Sequence, residues 1–154
     1  MSVSVQTRDF DVSIELARLR DGNAGVGAVV SFVGTVRDIS DGNAVSLMEL
    51  EHYPGMTEKA LAGIVEKTKA RWTLEGVRVI HRIGPLAPAD QIVLVAVAAG
   101  HRADAFAACE FIMDHLKTEA PFWKKETTAS GGFWVDAKES DRLAAEKWLN
   151  EDSA

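Results

Sequence analysis

Apolar and polar positions along the chain follow two periods, one of two residues and one close to four. Val3 to Thr7 (VSVQT) alternates and predicts a first strand. Asp11 or Ser13 then stands where a helix through Arg20 would be capped, and Asp21-Gly22 ends it. Gly25 to Val36 (GVGAVVSFVGTV) reads as a long strand with Gly27 or Gly34 marking bends. Asp38 to Asn43 is polar and reads as a loop, and Val45 to His52 as a returning strand. Pro54-Gly55 opens a helix whose inner positions are Met56, Ala60, Leu61, Ile64, Val65 and Thr68. Val77 to Ile83 alternates as a strand, Gly84 to Asp90 is a proline-containing turn, and Ile92 to Ala98 is a buried strand. Asp104 to Lys117 predicts a helix with Phe106, Cys109, Met113 and Leu116 inward, stopped by Pro121. Phe122 to Thr128 and Phe133 to Asp136 flank Ala129 to Gly132 as a hairpin. Ser140 or Asp141 caps a last helix to Leu149. The order βαββαββαββα lacks the strict alternation of a doubly wound sheet. The expected class is α+β, mainly antiparallel, with helices on the sheet and one domain over residues 1–154.

Composition narrows the picture. The chain has 154 residues, 47% hydrophobic, enough for a core without disulfides or metals. Its net charge of −6 disfavours broad binding to nucleic acid or anionic membranes. An anion site must therefore be a local basic cluster. Cys109 is the single cysteine, so an intrachain disulfide and a multi-cysteine zinc site are excluded. That fits a reducing, cytoplasmic setting. Met1 to Phe10 has no signal-peptide pattern, and Ile92 to Ala99 is too short an apolar run to span a bilayer.

The common catalytic motifs are missing. Gly22 to Gly27 has the wrong spacing for a dinucleotide fingerprint, no P-loop lysine follows, and no G-x-S-x-G elbow occurs. His52, His81, His101 and His115 fall in no metal-ligand spacing, and no metal or cofactor is expected. Cys109 lies among Phe106, Phe111 and Ile112, where burial disfavours a thiolate; it reads as a small core residue. The basic residues are more informative. Arg37 ends an apolar strand, His101-Arg102 joins a buried strand to a helix, and Lys117 lies in a last helical turn. Lys124 and Lys125 alternate on a strand, so one can line a pocket while the other is exposed. Each is separately explained as a solvated charge. Together they point to one pocket for a phosphate-bearing ligand, with Arg37, Arg102 and Lys124 converging on the anion.

Five blocks occur in order. They are Ser31 to Asp38 (SFVGTVRD), Leu50 to Met56 (LEHYPGM), His81 to Gly84 (HRIG), Gly100 to Arg102 (GHR) and Leu116 to Glu126 (LKTEAPFWKKE). They resemble the large, catalytic subunit of molybdopterin synthase, from about Val3 to Trp148. The resemblance implies an α/β hammerhead with additional antiparallel strands. It also implies a homodimer that binds two small ubiquitin-like sulfur carriers, forming a heterotetramer. The implied reaction transfers two sulfurs from the carrier's thiocarboxylated Gly-Gly terminus to cyclic pyranopterin monophosphate, giving the molybdopterin dithiolene. Lys117 matches the family's catalytic lysine and Lys124 a second lysine important for activity. Thr35, Val36, Arg37, His101, Arg102, Lys117, Lys124, Lys125 and Glu126 match substrate-binding segments. Lys138 stands where the family often has arginine, keeping the charge without the planar fork.

Because a thiocarboxylate is already a sulfur nucleophile, the large subunit need supply none. Its task is to hold an anionic tail beside an anionic pterin and to move protons, which suits lysines. Two rival readings remain at this stage. One is a non-catalytic module that binds a phosphate ligand or a Gly-Gly tail. The other is a persulfide sulfurtransferase using Cys109.

Overall fold

The computed structural model describes residues 2–40, 43–44, 47–128, 131–135 and 139–152. In chain order these form β1 (Val3–Gln6), α1 (Val12–Arg20), β2 (Ala28–Thr35), β3 (Ile39–Ser40), β4 (Asn43–Ala44) and β5 (Leu47–His52). There follow α2 (Met56–Arg71), β6 (Leu74–Arg82), β7 (Gly84–Leu86), β8 (Gln91–Ala99), α3 (Arg102–Glu119), β9 (Phe122–Thr128), β10 (Gly131–Val135) and α4 (Glu139–Asp152). The class is α+β, as the element order read from the sequence predicts.

A first sheet has the order β1-β6-β8-β2. Only β1 runs parallel to its neighbour, β6; the β6–β8 and β8–β2 pairs are antiparallel. Central β8 is apolar on both faces, and Val93 to Ala99 are all buried. Alternation along β6 and β8 sends side chains to two different cores. Val77, Val79, Val93, Val95 and Val97 meet Leu61, Ile64 and Val65 of α2 and Ala108, Cys109, Ile112 and Leu116 of α3. Ile80, Leu94 and Ala96 face the other way, onto Phe10 and the Val12, Leu16 and Leu19 side chains of α1. Asp11 caps α1 by accepting a hydrogen bond from the Ile14 N–H at 3.1 Å.

A second sheet, β10-β9-β5-β7, is wholly antiparallel. On β5, Met48 and Leu50 are buried with Val36 and Leu86, while Leu47, Glu49 and Glu51 face solvent. This small core joins the end of β2 to the second sheet.

The two glycines expected to mark bends both have a steric reason. A Cβ at Gly27 would lie 2.1 Å from the Gly100 carbonyl oxygen, so only glycine allows the two chain segments to approach this closely. At Gly34 a Cβ would lie 2.7 Å from Val93 Cγ1, and the β2–β8 register shifts between Gly34 and Thr35.

Several expectations need correction. The strand expected from Gly25 begins at Ala28, because Gly27 is spent on the contact with Gly100. The Asp38–Asn43 loop contains a short pairing, Ile39 with Ala44 and Ser40 with Asn43. The Gly84–Asp90 turn begins as β7, since its first three residues pair with β5. Met56 and Phe106, assigned to inner helix faces, are 64% and 61% exposed. In α2 the first turn is buried through Thr57 instead. In α3 apolar residues surround the helix, so their spacing alone does not fix which side turns inward. The hairpin tip at Ala129-Ser130 and the segment carrying Lys138 lie outside the described residues.

Candidate active site

The end of the first sheet where β2 and β6 finish and β8 begins gathers most of the predicted residues. Thr35 pairs with Gln91 and His81 with Val93, so both strand ends sit beside the start of β8. Val36 anchors the outgoing segment. Its N–H donates to the Asp90 carbonyl at 2.9 Å, its carbonyl accepts from the Ala89 N–H at 2.8 Å, and its side chain is buried. Thr35 and Arg37 on either side are left exposed.

Helix α3 packs along β8, with Cys109 Sγ 3.7 Å from the Val95 carbonyl oxygen, and brings Lys117 back to this end in its last turn. The chain turns at Pro121 and enters β9 directly. Phe122, Trp123, Lys124, Lys125 and Glu126 lie opposite His52, Glu51, Leu50, Glu49 and Met48 of β5. Cross-strand partners share a face, so Phe122 and Lys124 stand on the side of buried Leu50, and Trp123 on the solvent side. The loop entering β9 is tied to α2 by Thr57, which accepts from the Tyr53 N–H at 3.1 Å and donates to the Pro121 carbonyl at 2.9 Å. Tyr53 and Trp123 meet edge to face at 4.1 Å.

Stacked on Phe122 at the start of β9 lies a residue that motif reasoning passed over. The His81 ring stacks on Phe122 with centroids 3.9 Å apart and planes 20° from parallel. Its Nδ1 is 2.8 Å from the Arg82 carbonyl oxygen. Burial is the main cause that lowers its pKa to about 4; the positive charge of Lys117 and the presence of His52 lower it further. The imidazole is therefore neutral at pH 7. His52 lies 3.3 Å from the Glu58 carboxylate. A histidine at the end of an alternating strand carries no spacing signature, so only the His81–Gly84 block pointed to this position.

His101 and Arg102 are elsewhere. They follow the far end of β8, beside Gly27 and Gly100, and are exposed. The helical rise between Arg102 and Lys117 is about 22 Å. One chain therefore does not converge Arg37, Arg102 and Lys124 on one anion, contrary to the expectation from sequence. The reason is geometric: strand β8 and helix α3 are both long, and they place their two ends at opposite ends of the sheet's strands. Lys138 lies outside the described residues.

Cys109 is buried, and that burial, reinforced by the Glu110 carboxylate, pushes its thiol up to about 11. A resident thiolate nucleophile has no support there. Among the described residues, no three His, Cys, Asp or Glu side chains are placed to hold a metal ion, and no helix is long and apolar enough to cross a membrane.

Comparison with known proteins identifies the family. A protein from Ralstonia nicotianae named molybdopterin synthase catalytic subunit is 64% identical over 147 residues, covering 96% of this chain and 84% of that protein. One of the same name from Vibrio cholerae is 56% identical, covering 95% and 97%. The solved structure of the molybdopterin biosynthesis MoaE protein from Burkholderia ambifaria superposes with a TM-score of 0.81 at 56% identity, covering 96% and 97%. The family profile described as MoaE protein matches residues 5–119, which span the first sheet, α1 to α3 and the lysine-bearing end of α3. The chain belongs to the MoaE family.

Proposed function

We propose that this chain is the catalytic subunit of a molybdopterin synthase, working in the cytoplasm. It transfers two sulfurs in turn, one from the thiocarboxylated C-terminus of each of two small ubiquitin-like carrier subunits, to cyclic pyranopterin monophosphate, forming the molybdopterin dithiolene. The observation that carries this reading is the meeting of α3 and β9 around His81. It sets Lys117 and the face bearing Lys124 at one sheet end, next to the Thr35–Arg37 segment, in a chain of net charge −6.

The chemistry required of the residues is modest. Sulfur arrives as the carrier's thiocarboxylate and attacks a side-chain carbon of the pterin; the carbon–sulfur bond forms as a carbon–oxygen bond breaks, the oxygen leaving with the ring-opened phosphate at one carbon and as water at the other. Water then cleaves the acyl–sulfur bond, releasing the carrier as a carboxylate and leaving sulfur on the pterin. The cyclic phosphate opens along the way. Each step moves protons near two anions. Lys117 serves proton transfer and Lys124 offsets the charge, with Thr35 and Arg37, set by the anchored Val36 between them, holding the pterin phosphate, and Lys125 and Glu126 completing the substrate-binding segment of β9.

His101 and Arg102 enter this reading through a second chain. The chain acts as a homodimer, and each dimer takes two carriers to form a heterotetramer. His101 and Arg102 of one copy then reach the lysine end of the other, and Lys138 adds positive charge. Lys117→Ala tests the core of the proposal. An exposed lysine in a last helical turn contributes within about 0.5 kcal/mol to stability, whereas loss of a proton-transfer group lowers the rate about 100-fold or more. Dithiolene formation from thiocarboxylated carrier should drop by that factor with the melting temperature unchanged; wild-type turnover would refute the assignment.

A further inference from the structure

We propose that the outer edge of β2 is the surface on which two copies of this chain pair, antiparallel about a two-fold axis near the middle of the strand, so that His101 and Arg102 of one copy meet the Thr35–Arg37 segment of the other. The inference rests on the homodimer in the reading given above and adds the interface, which that reading leaves unassigned.

Strand β2 is the last of its sheet, and among the described residues no strand pairs with its outer side. It is eight residues long (AVVSFVGT), without a charge or a proline, and Ser31 and Phe32 at its middle are both exposed. Such an edge presents backbone donors and acceptors to a further strand. The other sheet ends are less suited: β1 has four residues, β7 three including Pro85, and β10 five beginning with two glycines. Phe32 lies opposite Val95, on the face that α3 covers, yet is 41% exposed. Phe106, in the second turn of α3, is exposed as well, and α3 packs against β2.

Charge and length identify the occupant as a second copy. Two chains of net charge −6 repel, and an uncharged strand lets them approach without setting like charges face to face. The start of β2 adjoins His101 and Arg102, because Ala28 pairs with Ala99 and the Gly27 N–H donates to the Ala99 carbonyl at 2.9 Å. Its end runs into Thr35, Val36 and Arg37. The strand is about 26 Å long, close to the helical rise of about 22 Å between Arg102 and Lys117. Antiparallel pairing of β2 with its own copy lays the start of one strand beside the end of the other. That cancels the separation which keeps Arg102 from the lysine end within one chain. A carrier strand on the same edge would leave the separation in place.

The test reads assembly rather than turnover. Sedimentation of the full chain should show a dimer. Phe32→Asp sets two carboxylates near the axis and should weaken the dimer about 100-fold or more, while circular dichroism stays that of the folded chain. Ser31→Cys probes the same place with little change in size and none in charge, and it decides the matter should Phe32→Asp fail to fold. Cys109 is buried, so the introduced thiol is the reactive one. A short bifunctional thiol reagent should join two Ser31→Cys chains, whereas Thr7→Cys, exposed just past β1 at the other edge of the sheet, should stay unlinked. A dimer whose Ser31→Cys chains are not joined, or whose affinity is unchanged in folded Phe32→Asp, would overturn the interface and leave the homodimer standing. A wild-type chain that sediments as a monomer would overturn both. Linked dimers that form no dithiolene from thiocarboxylated carrier would support the interface and refute the functional reading.

Discussion

At the scale of single residues, two buried titratable groups have opposite meanings. His81 has a pKa near 6.5 when exposed and about 4 in the fold. Between those values the unfolded chain binds more protons than the folded one, so stability rises with pH. This contribution is fully present above about pH 6.5 and is lost as the pH falls toward 4. The shift corresponds to about 3 kcal/mol. Urea unfolding from pH 7 to pH 4 should show that loss, and His81→Phe should flatten it. Cys109 is held as the neutral thiol, with a pKa of about 11. Sulfur transfer should therefore survive Cys109→Ser per folded molecule, even if the buried hydroxyl costs about 1–3 kcal/mol. A folded Cys109→Ser protein that binds carrier and pterin but forms no dithiolene would revive the persulfide reading.

At the scale of elements, the lysine strand depends on a helix far from it in sequence. Thr57 is fully buried in the first turn of α2 and bridges the Tyr53 N–H to the Pro121 carbonyl. Thr57→Val keeps the shape and orphans both groups, at a cost of about 1–3 kcal/mol. Because Pro121 leads into β9, the variant should also lose activity beyond its loss of stability, as measured on protein shown to be folded by circular dichroism. Such coupling explains what the sequence made legible. Strands β1, β2, β5, β6, β8, β9 and β10 and all four helices follow from periodicity and caps. The short pairings β3–β4 and β5–β7 do not, because two or three residues carry no period. The phase of α3 was also hidden. Phe106 and Phe111 are both apolar, but only Phe111 turns inward, where Trp72 and Trp148 pack edge to face on it. The lysines of the site were legible as motif residues. His81 was legible only within the His81–Gly84 block, since its place in the site arises when β6, α3 and β9 meet.

At the scale of the whole molecule, the length of α3 is the controlling dimension. It puts Arg102 about 22 Å from Lys117 within a chain. If a site is completed across a dimer, Lys117→Ala and Arg102→Ala damage different halves of it. Co-refolding the two inactive variants should then restore about one quarter of wild-type activity, since half the dimers are mixed and each mixed dimer has one intact site. No recovery on mixing would place each site within a single chain. The pairing of β1 has a separate consequence, for the order in which the chain becomes a protein. Its partner in the sheet, through Val3 with Val79, is β6, and β6 in turn leans on β8. A ribosome delivers β1 well before β6, and among the described strands β1 pairs with no other. Until β6 follows, β1 has no sheet partner and is exposed to chaperones and to wrong pairings. β1 is thus made before the strand that secures it and joins the sheet only once the sheet's centre exists.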